Sequence, residues 1–98
     1  MPENINIRLY EDKAKKLKAM SHPHRLFILQ GLISNDNCKS DIIRESINLP
    51  QSTYSQHIGK LREAGIIKGI RHGPAIHYKI IDEEVTLLIQ LLFCQQTQ

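Results

Sequence analysis

Among the ten positions from Gln51 to Lys60, seven besides Tyr54 carry hydrogen-bonding side chains: Gln51, Ser52, Thr53, Ser55, Gln56, His57 and Lys60. A glutamine amide can bond adenine in a bidentate manner, and serine and threonine hydroxyls reach bases or phosphates. Lysine neutralises phosphate and releases its counterions. From Gln51 to Ile81 there are five cations (Lys60, Arg62, Lys68, Arg71, Lys79) against the single carboxylate of Glu63. The chemistry this implies is contact with the edges and backbone of double-stranded DNA. An ordinary solvated helix with a polar first turn has the same composition, so the surrounding elements must separate the two readings.

Other chemistry is poorly supplied. The nucleophilic candidates are Cys38 and Cys94, and no spacing brings either to a base with an orienting third group. The five glycines (Gly31, Gly59, Gly65, Gly69, Gly73) are scattered rather than gathered into a phosphate loop. His22 and His24 flank Pro23, and His72 and His77 lie on either side of Gly73-Pro74. Two imidazoles without a third ligand make a weak metal site. The sequence therefore predicts no enzyme, no metal and no cofactor.

The elements follow from periodicity and punctuation. Tyr10, Ala14 and Leu17 mark one stripe of a first helix over Glu11–Met20, and residues 1–9 are extended or begin that helix. Ser21-His22-Pro23 starts a second helix to about Ile33, apolar on more than one face and so central to the core. After the polar loop Ser34–Asn37, a short helix over about Lys39–Ile47 turns Ile42, Ile43 and Ile47 inward. Pro50 interrupts helical geometry at Leu49. A longer helix follows over 51–64, with Tyr54, Ile58 and Leu61 inward and Gly65 as its stop. Segments 66–71 and 75–81, rich in β-branched residues, form a hairpin around His72-Gly73-Pro74. Asp82 to about Cys94 is helical again, acidic in its first turn and apolar around most of its circumference from Val85 to Phe93.

The predicted fold is mainly α with a small β-hairpin, in the order α-α-α-α-β-β-α, as one winged helix-turn-helix domain over residues 1–98. The helix at about 51–64 reads DNA, and the wing at about 66–81 adds Lys68, Arg71 and His72. One stripe of the last helix packs on its own domain, and the other suits a copy of itself in a homodimer. That same apolar stripe also suits a winged-helix module that binds other proteins. With a formal net charge of +3, 41% hydrophobic residues, no secretory-type apolar run and no membrane-length span, the expected setting is the cytoplasm.

The segments LKAMSHPHRLFIL, LPQSTYSQHIGKLREAGII and HYKI resemble the ArsR/SmtB family of winged-helix repressors over about Lys13–Cys94. The resemblance implies a dimer built from the first and last helices and repression by covering an operator, with release by an inducer. It also supplies places where an inducer would bind. Cys38-Lys39-Ser40 stands where metal-sensing members carry Cys-x-Cys, and a single thiolate makes a poor thiophilic site. Asp82, Glu84, Gln95 and Gln98 stand at the zinc positions of other members, where amides are weak ligands. Cys94 matches one cysteine of thiol-sensing members, whose second position is Gln30 here. Cys38 replaces that partner in a thiol- or redox-responsive repressor only if the two Cα atoms approach within about 7 Å.

Overall fold

The computed structural model describes residues 5–35 and 40–94. The element order is α1 (Ile7–Met20), α2 (Pro23–Asn35), α3 (Ser40–Ser46), α4 (Gln51–Glu63), β1 (Ile67–His72), β2 (Ala75–Ile80) and α5 (Glu83–Leu92). The expected order is met, and among the described residues no helix is long and apolar enough to cross a membrane.

α2 is the centre. Its Ile28, Leu29 and Leu32 are buried, and they meet Ile43, Tyr54, Ile58, Leu61, Ile66, Ile67, Val85 and Ile89 from the surrounding elements. Pro23 occupies the first helical position, where a missing N–H costs nothing. The carbonyl of His22 accepts the Leu26 N–H at 2.9 Å, and its Nδ1 accepts the His24 N–H at 3.1 Å, so His22 caps the helix.

α1 begins at Ile7 rather than near Glu11, because the Asn6 side chain accepts the Leu9 N–H at 3.3 Å and closes the first turn. Only Met20 of this helix is buried; Ile7, Tyr10 and Leu17 are exposed. α3 turns Ile43 into the core, and Ile47 packs partly against it. Ile42 does not follow the expectation: it is 54% exposed. Adjacent helical positions diverge by about 100°, so with Ile43 turned into the core Ile42 is carried toward solvent.

Two helix stops share one geometry. Asn48 takes φ +52, with Asn48 N–H donating to the Glu45 carbonyl at 3.2 Å and Leu49 N–H to the Arg44 carbonyl at 3.3 Å. Gly65 takes φ +76, with Gly65 N–H donating to Arg62 and Ile66 N–H to Leu61, both at 3.0 Å. Both are Schellman turns, and in each the following residue (Leu49, Ile66) is buried. The second turn throws the chain from α4 into the wing.

The wing is an antiparallel pair in register Ile67↔Ile80 through His72↔Ala75. Gly73 has φ +63 and opens a two-residue loop completed by Pro74. Proline cannot take the positive φ that a type I′ turn demands at its second position, so the Gly-Pro order selects type II′. The base of the wing is buried through Ile67, and its tip is exposed.

A Cβ at Gly65 would meet no atom within 4 Å, so Gly65→Ala tests backbone strain alone. The expected loss is about 1–2 kcal/mol in chemical denaturation, the cost of left-handed geometry for an L-residue. An unchanged midpoint would show that the turn does not set where α4 ends.

Candidate nucleic-acid interface

The inner face of α4 is fixed by Tyr54, Ile58 and Leu61, spaced four and three apart and all buried as expected. The same helical period forces Ser52, Gln56 and Lys60, each four apart, onto the outer face. Gln51 and Ser55 form a second row beside them, and all five are exposed. Gln51 Nε2 donates to Ser55 Oγ at 3.3 Å, a long contact that holds the two side chains in one orientation. Thr53 is half-buried at the edge of the stripe. Pro50 caps α4 with no side-chain hydrogen bond, which leaves the first-turn N–H groups available to an anion.

On the wing, Lys68, Arg71 and His72 are all exposed. His72 lies against His77 with ring centroids 4.5 Å apart. Tyr78 joins the two parts of the surface: with Gln51, Tyr54, Ser55, Ile58 and Arg62 it lines a cleft between α4 and the wing. A Cβ at Gly69 would stand 3.2 Å from the Tyr78 ring, so the glycine opposite is what lets Tyr78 lie there.

His57 corrects the sequence reading. It was expected on the outer face, but it is only 7% exposed. Its ring lies 4.4 Å from that of His22, and its Nδ1 accepts the Arg25 Nε–H at 3.1 Å. At this point of the helix the residue falls toward the α1–α2 turn, where a ring and a guanidinium enclose it. Burial, followed by the neighbouring His22, Arg25 and His24, lowers its pKa from 6.5. Arg25 is the residue that sequence reasoning passed over. Its Nη1 donates to the Ala19 carbonyl at 3.1 Å while its Nε holds His57, so it ties the end of α1 to α4. The only signal was its place two residues after Pro23.

The remaining sequence candidates separate. Cys94 is exposed at the end of α5, beside a cleft of about 330 Å³ that Gln30, Ile33 and Phe93 also line. Cys38 falls within residues 36–39, outside the described residues, as do Gln95 and Gln98. Asp82 and Glu84 are occupied by lysines. Lys16 Nζ stands 2.8 Å from Asp82 and 2.9 Å from Glu84, and Lys13 Nζ lies 2.8 Å from Glu84. Asp82 also caps α5 by accepting the Val85 N–H at 3.0 Å. Burial pushes its carboxyl up, but the Lys16 hydrogen bond and the Val85 N–H together outweigh that and hold it below 3.8.

The lowered pKa makes Asp82 a source of acid sensitivity. Its stabilisation is complete above the ordinary value of 3.8 and is lost as pH falls through the lowered one. Asp82→Ala should cost about 0.5–2 kcal/mol near neutrality through the lost cap. Its thermal stability should then decline less than wild type on acidification below pH 4, read by melting curves at matched ionic strength.

Residues 22–68 match the family described as bacterial regulatory protein, arsR family. The transcriptional repressor PagR of Bacillus anthracis is 40% identical over 82 residues, spanning 84% of this chain and 82% of that protein. Its crystal structure superposes with a TM-score of 0.80, covering 89% of this chain and 99% of that one. The transcriptional activator HlyU of Vibrio cholerae is 33% identical over 101 residues, spanning 96% of this chain and 93% of that protein, and a structure of it superposes at TM-score 0.83. The biofilm growth-associated repressor of Xylella fastidiosa is 33% identical over 86 residues, spanning 85% of this chain and 75% of that protein. Sequence segments, winged-helix architecture and relatives agree: this chain belongs to the arsR family and is a winged helix-turn-helix transcriptional regulator.

Proposed function

We propose that the chain is a homodimeric repressor that covers operator DNA, with α4 in the major groove and the wing on the flanking backbone. The observation that carries this is the division of α4. Its inner face is locked into the core, and its outer face is polar, carrying Gln51, Ser52, Ser55, Gln56 and Lys60, with Glu63 as its one carboxylate at the C-terminal end. In this reading Gln51, Ser52, Ser55 and Gln56 meet base edges and phosphates near the helix start, with Thr53 at the margin. Lys60, Lys68, Arg71 and His72 meet the backbone. His57 is left out of the contact set, since it supports the helix from behind. Two of the relatives described above are named repressors, which favours repression as the outcome. Binding and release of DNA require no covalent step, so the chain acts as a regulator rather than an enzyme, in the cytoplasm where its operator lies.

Dimerisation follows from exposed apolar surface. Leu87, Leu91 and Leu92 on α5 are 61–70% exposed, and Ile7, Tyr10 and Leu17 on α1 are also open. The Lys13–Glu84 and Lys16–Asp82 pairs hold α1 against the start of α5, so the two helices present one surface. A leucine stripe of this kind is costly to leave in water, and a second copy covers it with itself. Two copies then present two α4 helices to a pseudo-palindromic site.

Selection from a random duplex pool, followed by salt titration, tests this reading. A retained sequence with a pseudo-twofold pattern and a steep salt slope is expected. Gln56→Ala should weaken the selected duplex by about 1–3 kcal/mol and relax specificity, while Lys68→Ala should weaken all sequences alike and flatten the slope. Equal losses on selected and random DNA for both variants would overturn the assignment. Leu91→Glu should yield a monomer by light scattering and lose operator affinity. A dimeric Leu91→Glu protein would place the interface elsewhere.

A further inference from the structure

Three imidazoles meet behind the recognition helix. His22, His24 and His57 hold ligand-type nitrogens within 4.8 Å of one another, with ring centroids 4.4–5.7 Å apart. What surrounds them decides what they can take up. His22 Nδ1 accepts the His24 backbone N–H, and His57 Nδ1 accepts the Arg25 Nε–H. A neutral imidazole that accepts at Nδ1 carries its proton on Nε2, so neither of these rings has a lone pair left for a cation. Only His24 Nδ1, buried and without a hydrogen-bond partner among the described residues, is uncommitted. Metal-binding histidines need an acceptor behind the ring, whereas these two have donors, and one donor is a permanent cation. The cluster is badly arranged for a metal ion and well arranged to register a proton.

We propose that His57, packed against His22 and His24 and bonded to Arg25, is a proton-sensitive latch on the recognition helix, closed while its imidazole is neutral and opened in mild acid. The proposal rests on the reading of α4 as the DNA-contacting helix. A proton on His57 Nδ1 turns the acceptor of the Arg25 bond into a donor facing a donor, and sets a second positive charge against the guanidinium. The same Arg25 holds the Ala19 carbonyl, so the strain falls on the joint between α1, α2 and α4.

The charged groups around the joint offer little compensation. Lys15 and Lys18 face it from α1, Arg25 from α2 and Lys60 from α4, with Glu63 of α4 the one carboxylate among the cleft-lining residues there. His57 is accordingly lowered below 6.5, by burial first and then by His22, Arg25 and His24. The folded state therefore binds fewer protons than the unfolded chain between the two values. Its stability is full above 6.5 and declines as pH falls from there through the lowered value.

Three measurements on the full-length chain test the latch. Histidine ring resonances followed by NMR from pH 8 to 5 should show His57 titrating below 6.5, with α4 amide shifts moving in step. The melting temperature should fall between pH 7.5 and 5.5, and affinity for the selected duplex at fixed ionic strength should fall about tenfold or more. In His57→Asn the side-chain carbonyl stands where Nδ1 does, accepts from Arg25 and does not titrate, so both pH profiles should flatten. If that variant does not fold, the wild-type NMR titration decides. His57 titrating at or above 6.5, or identical pH profiles in wild type and His57→Asn, overturns the latch. Zinc chloride raising the wild-type melting temperature at pH 7.5, but not that of His24→Ala, overturns it in favour of a metal site. Absence of duplex binding at pH 7.5 defeats the DNA reading alone, because the NMR and melting arms need no DNA.

Discussion

The structure depends on one contact, the seating of α4 against α2. Ile28 and Leu29 are fully buried, and Tyr54, Ile58 and Leu61 close over them. A helix held along one stripe has its opposite face determined by the 3.6-residue period, so the core specifies the orientation of Ser52, Gln56 and Lys60 without touching them. Loosening that seat would blur the position of every outward group at once. Burying several aliphatic side chains at about 1.5–3 kcal/mol each makes the seat a strong restraint on the orientation of α4.

Two polar devices refine what the apolar contact leaves loose. The Arg25 guanidinium donates to the Ala19 carbonyl and to His57 Nδ1, tying α4 to the α1–α2 turn. At the other end, the Schellman turn at Gly65 delivers Ile66 into the core beneath Leu61 and aims the wing. Helix and wing thus border one cleft, with Tyr78 across the gap between them.

The opposite side of the domain obeys a different demand. The α1 and α5 stripes remain open in the single chain, and their polar neighbours are spent on each other through Lys13, Lys16, Asp82 and Glu84. Carboxylates engaged this way serve the joint between two helices. A domain of this size cannot bury all its apolar surface internally, and here the excess lies on α1 and α5.

The sequence by itself determined the element order, the inner stripe Tyr54–Ile58–Leu61 and the outer run from Gln51 to Lys60. It also determined the stop at Gly65 and the turn at Gly73-Pro74. These rest on local geometry: periodicity within one helix, the φ freedom of glycine and the fixed φ of proline, each legible from a few adjacent residues. Tertiary structure decided the rest. His57 turned inward because the His22 ring before α2 and the Arg25 guanidinium of α2, more than thirty positions away, enclose it. Ile42 stayed outside because α3 turns its neighbour Ile43 to the core, and Arg25 of α2 became a three-way tie because α1 and α4 converge on it. Such outcomes depend on which distant groups arrive, and spacing along the chain carries no record of that.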